Sequence, residues 1–224
     1  MPTVQGRLEA AAAKIDGAPV EVFGAGRTDS GVHATGQVAH MHLQTDRGNK
    51  VADAMNFHLR PDPICVLSAE EVSPEFHSRF DAVQRHYRYI VMNRRAHLTL
   101  ENGLAWRVSS KLDAALMDRA AQRLIGHHDF TTFRDQLCQA KSPMRTLDVM
   151  NVVRYGDRVE FTISARSFLH RMVRSLVGSL VDVGRGKEPE EWITEILKAK
   201  DRTRCGPIAP SDGLFLERVD YPLE

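Results

Sequence analysis

Cysteine is scarce in this chain of 224 residues: Cys65, Cys138 and Cys205 lie far apart, with no C-x-x-C spacing. That excludes a disulfide framework and a zinc knuckle, and it fits a reducing, cytoplasmic setting. Long apolar runs are missing as well. No stretch approaches the roughly 18 residues a membrane helix needs, so no membrane partner is expected. Charge of one sign is not in excess: 30 Lys and Arg against 29 Asp and Glu leave a net charge of +1, short of the global surplus of many nucleic-acid binders. There is no G-x-x-x-x-G-K-[ST], and the G-x-G of Gly24 and Gly26 lacks a third glycine and a following helix, which excludes a nucleotide loop. No repeat of 20 to 50 residues and no low-complexity tract appears. What is present is 42% apolar residues, enough to bury a core in one large domain or two small ones.

The most informative stretch is Gly24-Ala25-Gly26-Arg27-Thr28-Asp29-Ser30-Gly31-Val32-His33-Ala34. An apolar alternating run at residues 20–23 precedes it and a second extended run at 37–43 follows, so the stretch reads as a glycine-bracketed loop between two strands. Asp29 two residues before Gly31 is compatible with a plain Asx-turn, and Arg27 with a solvated neighbour. A loop carrying an arginine, a carboxylate and a histidine between strands is equally compatible with a site.

Elsewhere the pattern alternates helices and strands. Residues 3–15 place Val4, Leu8 and Ile15 at helical spacing behind a Thr3 cap, and Val51, Met55 and Leu59 mark a helix from about 49 to 59 that Pro61 and Pro63 stop. Strands are expected at 64–72 and 83–92, the latter with Arg85, Tyr87 and Tyr89 on one face. Asp113 caps a helix to Leu124, and 144–154 with 158–166 form a hairpin across Tyr155-Gly156-Asp157. Residues 169–183 are the most apolar helix, with Arg171, Arg174, Gly178 and Asp182 as a narrow polar stripe; a cation near its start calls for an acidic or phosphate partner. A surface helix at 190–198, a rigid extended loop at 205–211 and a strand holding Leu214, Leu216 and Val219 close the chain. His40 with His42, and the loop His127-His128-Asp129, read as satisfied or exposed groups rather than metal ligands. Between Arg134 and Arg174, eight Lys and Arg face four acids, a surplus that suits a basic patch or a solvated sheet face equally well.

Five ordered motifs carry a resemblance. Gly26-Arg27-Thr28-Asp29-Ser30-Gly31-Val32-His33-Ala34 resembles the signature loop of the tRNA pseudouridine synthase A family. Gln84-Arg85-His86-Tyr87-Arg88-Tyr89, Cys138-Gln139-Ala140-Lys141-Ser142-Pro143, the run from Phe168 to Gly178, and Gly206-Pro207-Ile208-Ala209-Pro210-Ser211-Asp212-Gly213-Leu214 follow in the same order. The resemblance implies that Asp29 is the nucleophile, that Tyr87 lies beside the target base, and that Arg174 pairs with Asp29. Arg27 would contact the flipped nucleotide or brace the loop, and Leu176 and Val177 would line the base pocket. It implies isomerisation of uridine to pseudouridine at positions 38 to 40 of the tRNA anticodon stem-loop by a homodimer, with no cofactor and no metal.

The expected fold is α+β: two similar halves, residues 1–95 and 96–224, sharing a mostly antiparallel sheet with helices on one side and a cleft between them. Family members usually begin with a strand carrying Tyr-Asp-Gly and Gly-Trp-Gln ahead of the segment matching Thr3-Val4-Gln5, so that first strand is expected to be missing here. A non-catalytic RNA-binding remnant is the alternative this raises.

Overall fold

The computed structural model describes residues 3–45 and 48–222; the junction of Met1 and Pro2 lies outside them. Its helices and strands, in chain order, are α1 (Val4–Asp16), β1 (Val22–Gly24), β2 (His33–Ala34), β3 (Ala39–Met41), α2 (Val51–Leu59), β4 (Gln84–Met92) and β5 (Trp106–Arg107). Then follow α3 (Ala114–Gln122), β6 (Gly126–Asp129), β7 (Met144–Tyr155), β8 (Arg158–Ala165), α4 (Met172–Gly184), α5 (Trp192–Ala199) and β9 (Leu214–Asp220). The class is α+β, with a mixed sheet.

By compactness the described residues form two units, 3–27 with 37–45 and 48–82, and 28–36 with 83–222. In the smaller unit β1 and β3 pair antiparallel as a two-stranded sheet, Phe23 opposite His40. Helix α1 begins at Thr3, whose hydroxyl accepts from Gly6 N at 3.0 Å, and ends at Gly17 in the left-handed region, φ 78°. Ala11, Ala12, Ile15, Val20, Met55 and Leu59 form its core. The strand expected at 64–72 does not form. The Asn56 side chain takes both backbone groups of Val66, donating to its carbonyl at 2.8 Å and accepting from its N–H at 2.7 Å, so these groups are satisfied without a ladder.

The larger unit holds a seven-stranded sheet in the order β2-β9-β4-β8-β7-β6, with β5 beside β4. The β4–β8, β4–β9, β6–β7 and β7–β8 pairs are antiparallel, whereas β2–β9 and β4–β5 are parallel. Strands from both sequence halves therefore share this sheet, since β2 and β4 pair with β9 and β8. His127-His128-Asp129 is not a loop but strand β6, seated on the edge of β7 with His127 opposite Thr146. Pairing satisfies that edge's backbone, and Gly126 at φ 110° allows the entry.

Helix α4 is buried almost all round, from Met172 to Gly184. It starts three residues later than its apolar pattern suggests because Arg171 takes φ 56°, a left-handed conformation rare for a side chain with a Cβ. Residues 169–171 thus form a turn, with Met172 N donating to Leu169 O at 3.0 Å. Gly178 lets the chain at Pro207 pass against α4, since a Cβ there would lie 1.7 Å from the Pro207 carbonyl oxygen. Among the described residues, no helix is long and apolar enough to cross a membrane.

Candidate active site

Asp29 sits in a tight turn that leads into β2. Val32 N donates to Asp29 O at 3.0 Å, and Gly31 closes the turn at φ 81°. A side chain at Gly31 would also strike Ser211, 2.6 Å from its Oγ. The backbone closes the turn itself, and the carboxylate is engaged elsewhere. Arg174 Nη1 donates to Asp29 Oδ2 at 2.7 Å, while His170 Nε2 lies 3.1 Å from Oδ1. Arg171 Nε stands 3.8 Å from Oδ2, a charge contact longer than a hydrogen bond.

Arg174 is held from a second side. Its Nε donates to Ala209 O at 2.8 Å, and its own carbonyl accepts from Ala209 N at 3.0 Å. The extended 206–210 segment is therefore a brace for the guanidinium, and Tyr89, whose hydroxyl donates to Pro210 O at 2.7 Å, fixes that segment to the sheet. The Tyr89 phenol is pushed up by burial. Gly213 makes room for its ring, since a Cβ there would come within 2.7 Å of it.

Tyr87 is half-buried on β4 and meets Phe168 edge to face, ring centroids 5.2 Å apart. Its phenol is pushed up to about 12, by burial above all, with Arg85 opposing and the negative charge of Asp29 adding to the rise. Sequence position placed Asp29, Tyr87 and Arg174 in three separate motifs; the fold puts the first and last in contact, and the charge of Asp29 reaches the second. Arg27 is exposed in the smaller unit. Leu176 and Val177 are fully buried in the core of the larger unit.

His170 and Asp135, which were not singled out from sequence, also belong to the cluster, together with Arg171 of the polar stripe. His170 Nδ1 is 3.5 Å from Asp135 Oδ1, and Arg171 Nη1 donates to Asp135 Oδ2 at 3.0 Å. Burial would raise the Asp135 carboxyl, but the Leu137 N–H, Arg171 and His170 outweigh it and hold it below the usual carboxylate range. His170 and Arg171 lay inside a quoted motif, so a signal existed; Asp135 carried none. The 138–143 motif also finds a place, since Cys138 Sγ accepts from His170 N at 3.4 Å. Burial would raise that thiol, but the N–H groups of Ala140 and His170 together with Arg134 keep it below its ordinary value.

His40, His127 and His128 have local partners. His40 Nδ1 accepts from Ser78 N at 3.2 Å, His127 meets Thr146 Oγ1 at 2.9 Å, and His128 meets Ile125 O at 2.9 Å. Asp129 accepts from Thr131 N and Oγ1 and pairs with Lys200. Among the described residues no three His, Cys, Asp or Glu are grouped closely enough to hold a metal ion.

A family model described as tRNA pseudouridine synthase matches residues 1–81 and 120–222. This chain belongs to the tRNA pseudouridine synthase family. It is 71% identical over 222 residues to the tRNA pseudouridine synthase A of Hyphomonas neptunium, a match spanning 99% of this chain and 90% of that protein. The protein of the same name from Maricaulis maris is 60% identical over 222 residues, with 99% and 89% covered. That from Rhodopseudomonas palustris is 57% identical over 222 residues, with 99% and 91% covered. Likeness of this degree to synthases along the whole chain does not favour the non-catalytic remnant.

Proposed function

We propose that this isomerase converts uridine to pseudouridine in tRNA, at positions 38 to 40 of the anticodon stem-loop, with Asp29 as the nucleophile. The observation that carries the reading is the Asp29–Arg174 contact of 2.7 Å in a site that also raises the Tyr87 phenol. The reaction breaks the N1–C1′ bond, turns the uracil and joins C5 to C1′; the C5 proton is lost and N1, freed from the sugar, gains one. Oxidation state does not change, so the chemistry calls for no redox cofactor.

Asp29 starts the rearrangement by adding to C6 of the ring or by acting at C1′. Arg174 keeps the carboxylate paired and aimed while the base covers it. Tyr87, protonated at neutral pH, provides an aromatic wall and a hydrogen-bond donor, and it takes part in moving the C5 proton late in the reaction only by passing its own proton on as it accepts that one. Arg27, on its exposed loop position, contacts the phosphate of the extruded nucleotide. Extrusion costs a few kcal/mol and is easiest where pairing is weak, as at the edge of an anticodon loop. Recognition then rests on RNA shape and phosphates rather than base sequence.

Family membership supports a homodimer whose two subunits share one tRNA, and a two-halved fold with the RNA in a cleft. Three free thiols support a reducing, cytoplasmic location.

Incubation of unmodified tRNA followed by chemical probing for pseudouridine tests the activity; mass alone is blind to an isomerisation. Asp29→Asn is expected to abolish product while tRNA affinity stays within about tenfold, because phosphate contacts dominate binding. Near-normal turnover by that variant refutes the assignment.

A further inference from the structure

Arg174 engages one oxygen of Asp29, and the other faces His170. The imidazole itself lies between two acids. Its Nε2 is 3.1 Å from Asp29 Oδ1 and its Nδ1 is 3.5 Å from Asp135 Oδ1, so a carboxylate lies at each end of the ring. Asp135 is nearly inaccessible, 8% exposed, and its Oδ1 also accepts from Leu137 N at 2.9 Å. The backbones are tied together as well, with Asp135 N donating to His170 O at 3.2 Å and His170 N donating to Cys138 Sγ at 3.4 Å. The left-handed turn at Arg171, φ 56°, keeps His170 outside α4, and the Arg171 guanidinium spans the two acids, 3.0 Å from Asp135 Oδ2 and 3.8 Å from Asp29 Oδ2.

We infer that His170 is a positioning residue for the Asp29 carboxylate: braced by Asp135, it holds Oδ1 while Arg174 holds Oδ2, so that the nucleophile is fixed in two directions. The inference rests on the reading of Asp29 as the nucleophile. A carboxylate held at one oxygen swings about that contact, and an ångström of misplacement at a reacting atom costs up to about a hundredfold in rate. A ring that abuts Asp29 also needs its own orientation set, which an acidic partner beside the far nitrogen can do. Asp135 occupies that place. The side chains facing the imidazole are thus Asp29 from the loop before β2 and Asp135 from the segment before β7, with Arg171 from its own turn; all three lie in the larger unit with His170.

The test is single-turnover formation of pseudouridine on saturating tRNA, beside tRNA affinity and melting temperature. His170→Ala is expected to lower the rate about 30-fold or more, with tRNA affinity within about threefold. His170→Gln, whose amide nitrogen falls near the Nε2 position, is expected to recover most of the loss. His170→Asn, whose amide nitrogen falls near Nδ1, is expected to stay as slow as His170→Ala. A residue that merely fills space shows no such dependence on which atom is restored. Asp135→Asn is expected to slow the wild-type enzyme but to add little in the His170→Ala background. Rates within threefold for His170→Ala, equal recovery by Gln and Asn, or full additivity with Asp135→Asn would each overturn the inference. Asp29→Asn separates the two levels: if that variant turns over, the nucleophile assignment fails; if it is inert while His170→Ala is unimpaired, only the positioning role fails.

Discussion

Arg174 does two jobs with two nitrogens, Nη1 on Asp29 Oδ2 and Nε on Ala209 O. Only a planar fork reaches both at once; a lysine ammonium is a single point charge on a flexible stem. Arg174→Lys therefore keeps the charge yet frees either the carboxylate or the brace. Its single-turnover rate, followed as release of label from uridine C5, is expected to fall about 100-fold, with tRNA affinity little changed. A loss under threefold would show that charge alone suffices. At this scale the motif string pointed to Asp29, Tyr87 and Arg174, but Asp135 was invisible, because nothing in a lone aspartate of a polar loop says which turn it will meet.

At the scale of elements, the site is organised by how closely α4 lies to the 206–210 segment. Gly178 is the point of closest approach, and Gly206 is another, where a Cβ would sit 2.8 Å from Ser179 Cα. In an exposed helix Gly→Ala is favourable by up to about 1 kcal/mol. Here the sign reverses: Gly178→Ala puts a methyl into the Pro207 carbonyl and is expected to destabilise by about 1–3 kcal/mol. It should also displace the Ala209 brace, so thermal unfolding and turnover should fall together. An unchanged melting temperature would mean that the segment gives way freely. Long periodic elements such as α4, the β7–β8 hairpin and the Asp113-capped α3 were legible from their patterns. The strand at 64–72 and the loop at 127–129 were misjudged, because an Asn56 clasp and an edge position on β7 depend on partners distant in sequence.

For the whole molecule, acid sensitivity follows from the paired carboxylates. Asp135 and Asp220 both lie below their ordinary values in the folded chain, burial being outweighed by Leu137 N–H, Arg171 and His170 in the first and by His86 and Arg218 in the second. A group depressed on folding adds stability that is complete above its unfolded value, about 3.9 for aspartate, and that is lost as pH falls through the folded value. Asp135→Asn is therefore expected to melt below wild type at neutral pH, with the two melting curves converging as the pH drops below about 4. A constant gap across that range would show that Asp135 acts by packing rather than by charge.

Read alone, the chain specified its helices, most of its strands and the order of five motifs, since those depend on local periodicity and on residue identity. Which motif atoms meet was decided only in three dimensions. The backbone turn at Arg171, the close passage at Gly178 and the parallel seat of β2 on β9 bring residues more than a hundred positions apart to within 3 Å or so of each other. A hydrogen bond is fixed by distance and direction, and neither is written in sequence spacing once the chain has turned back upon itself.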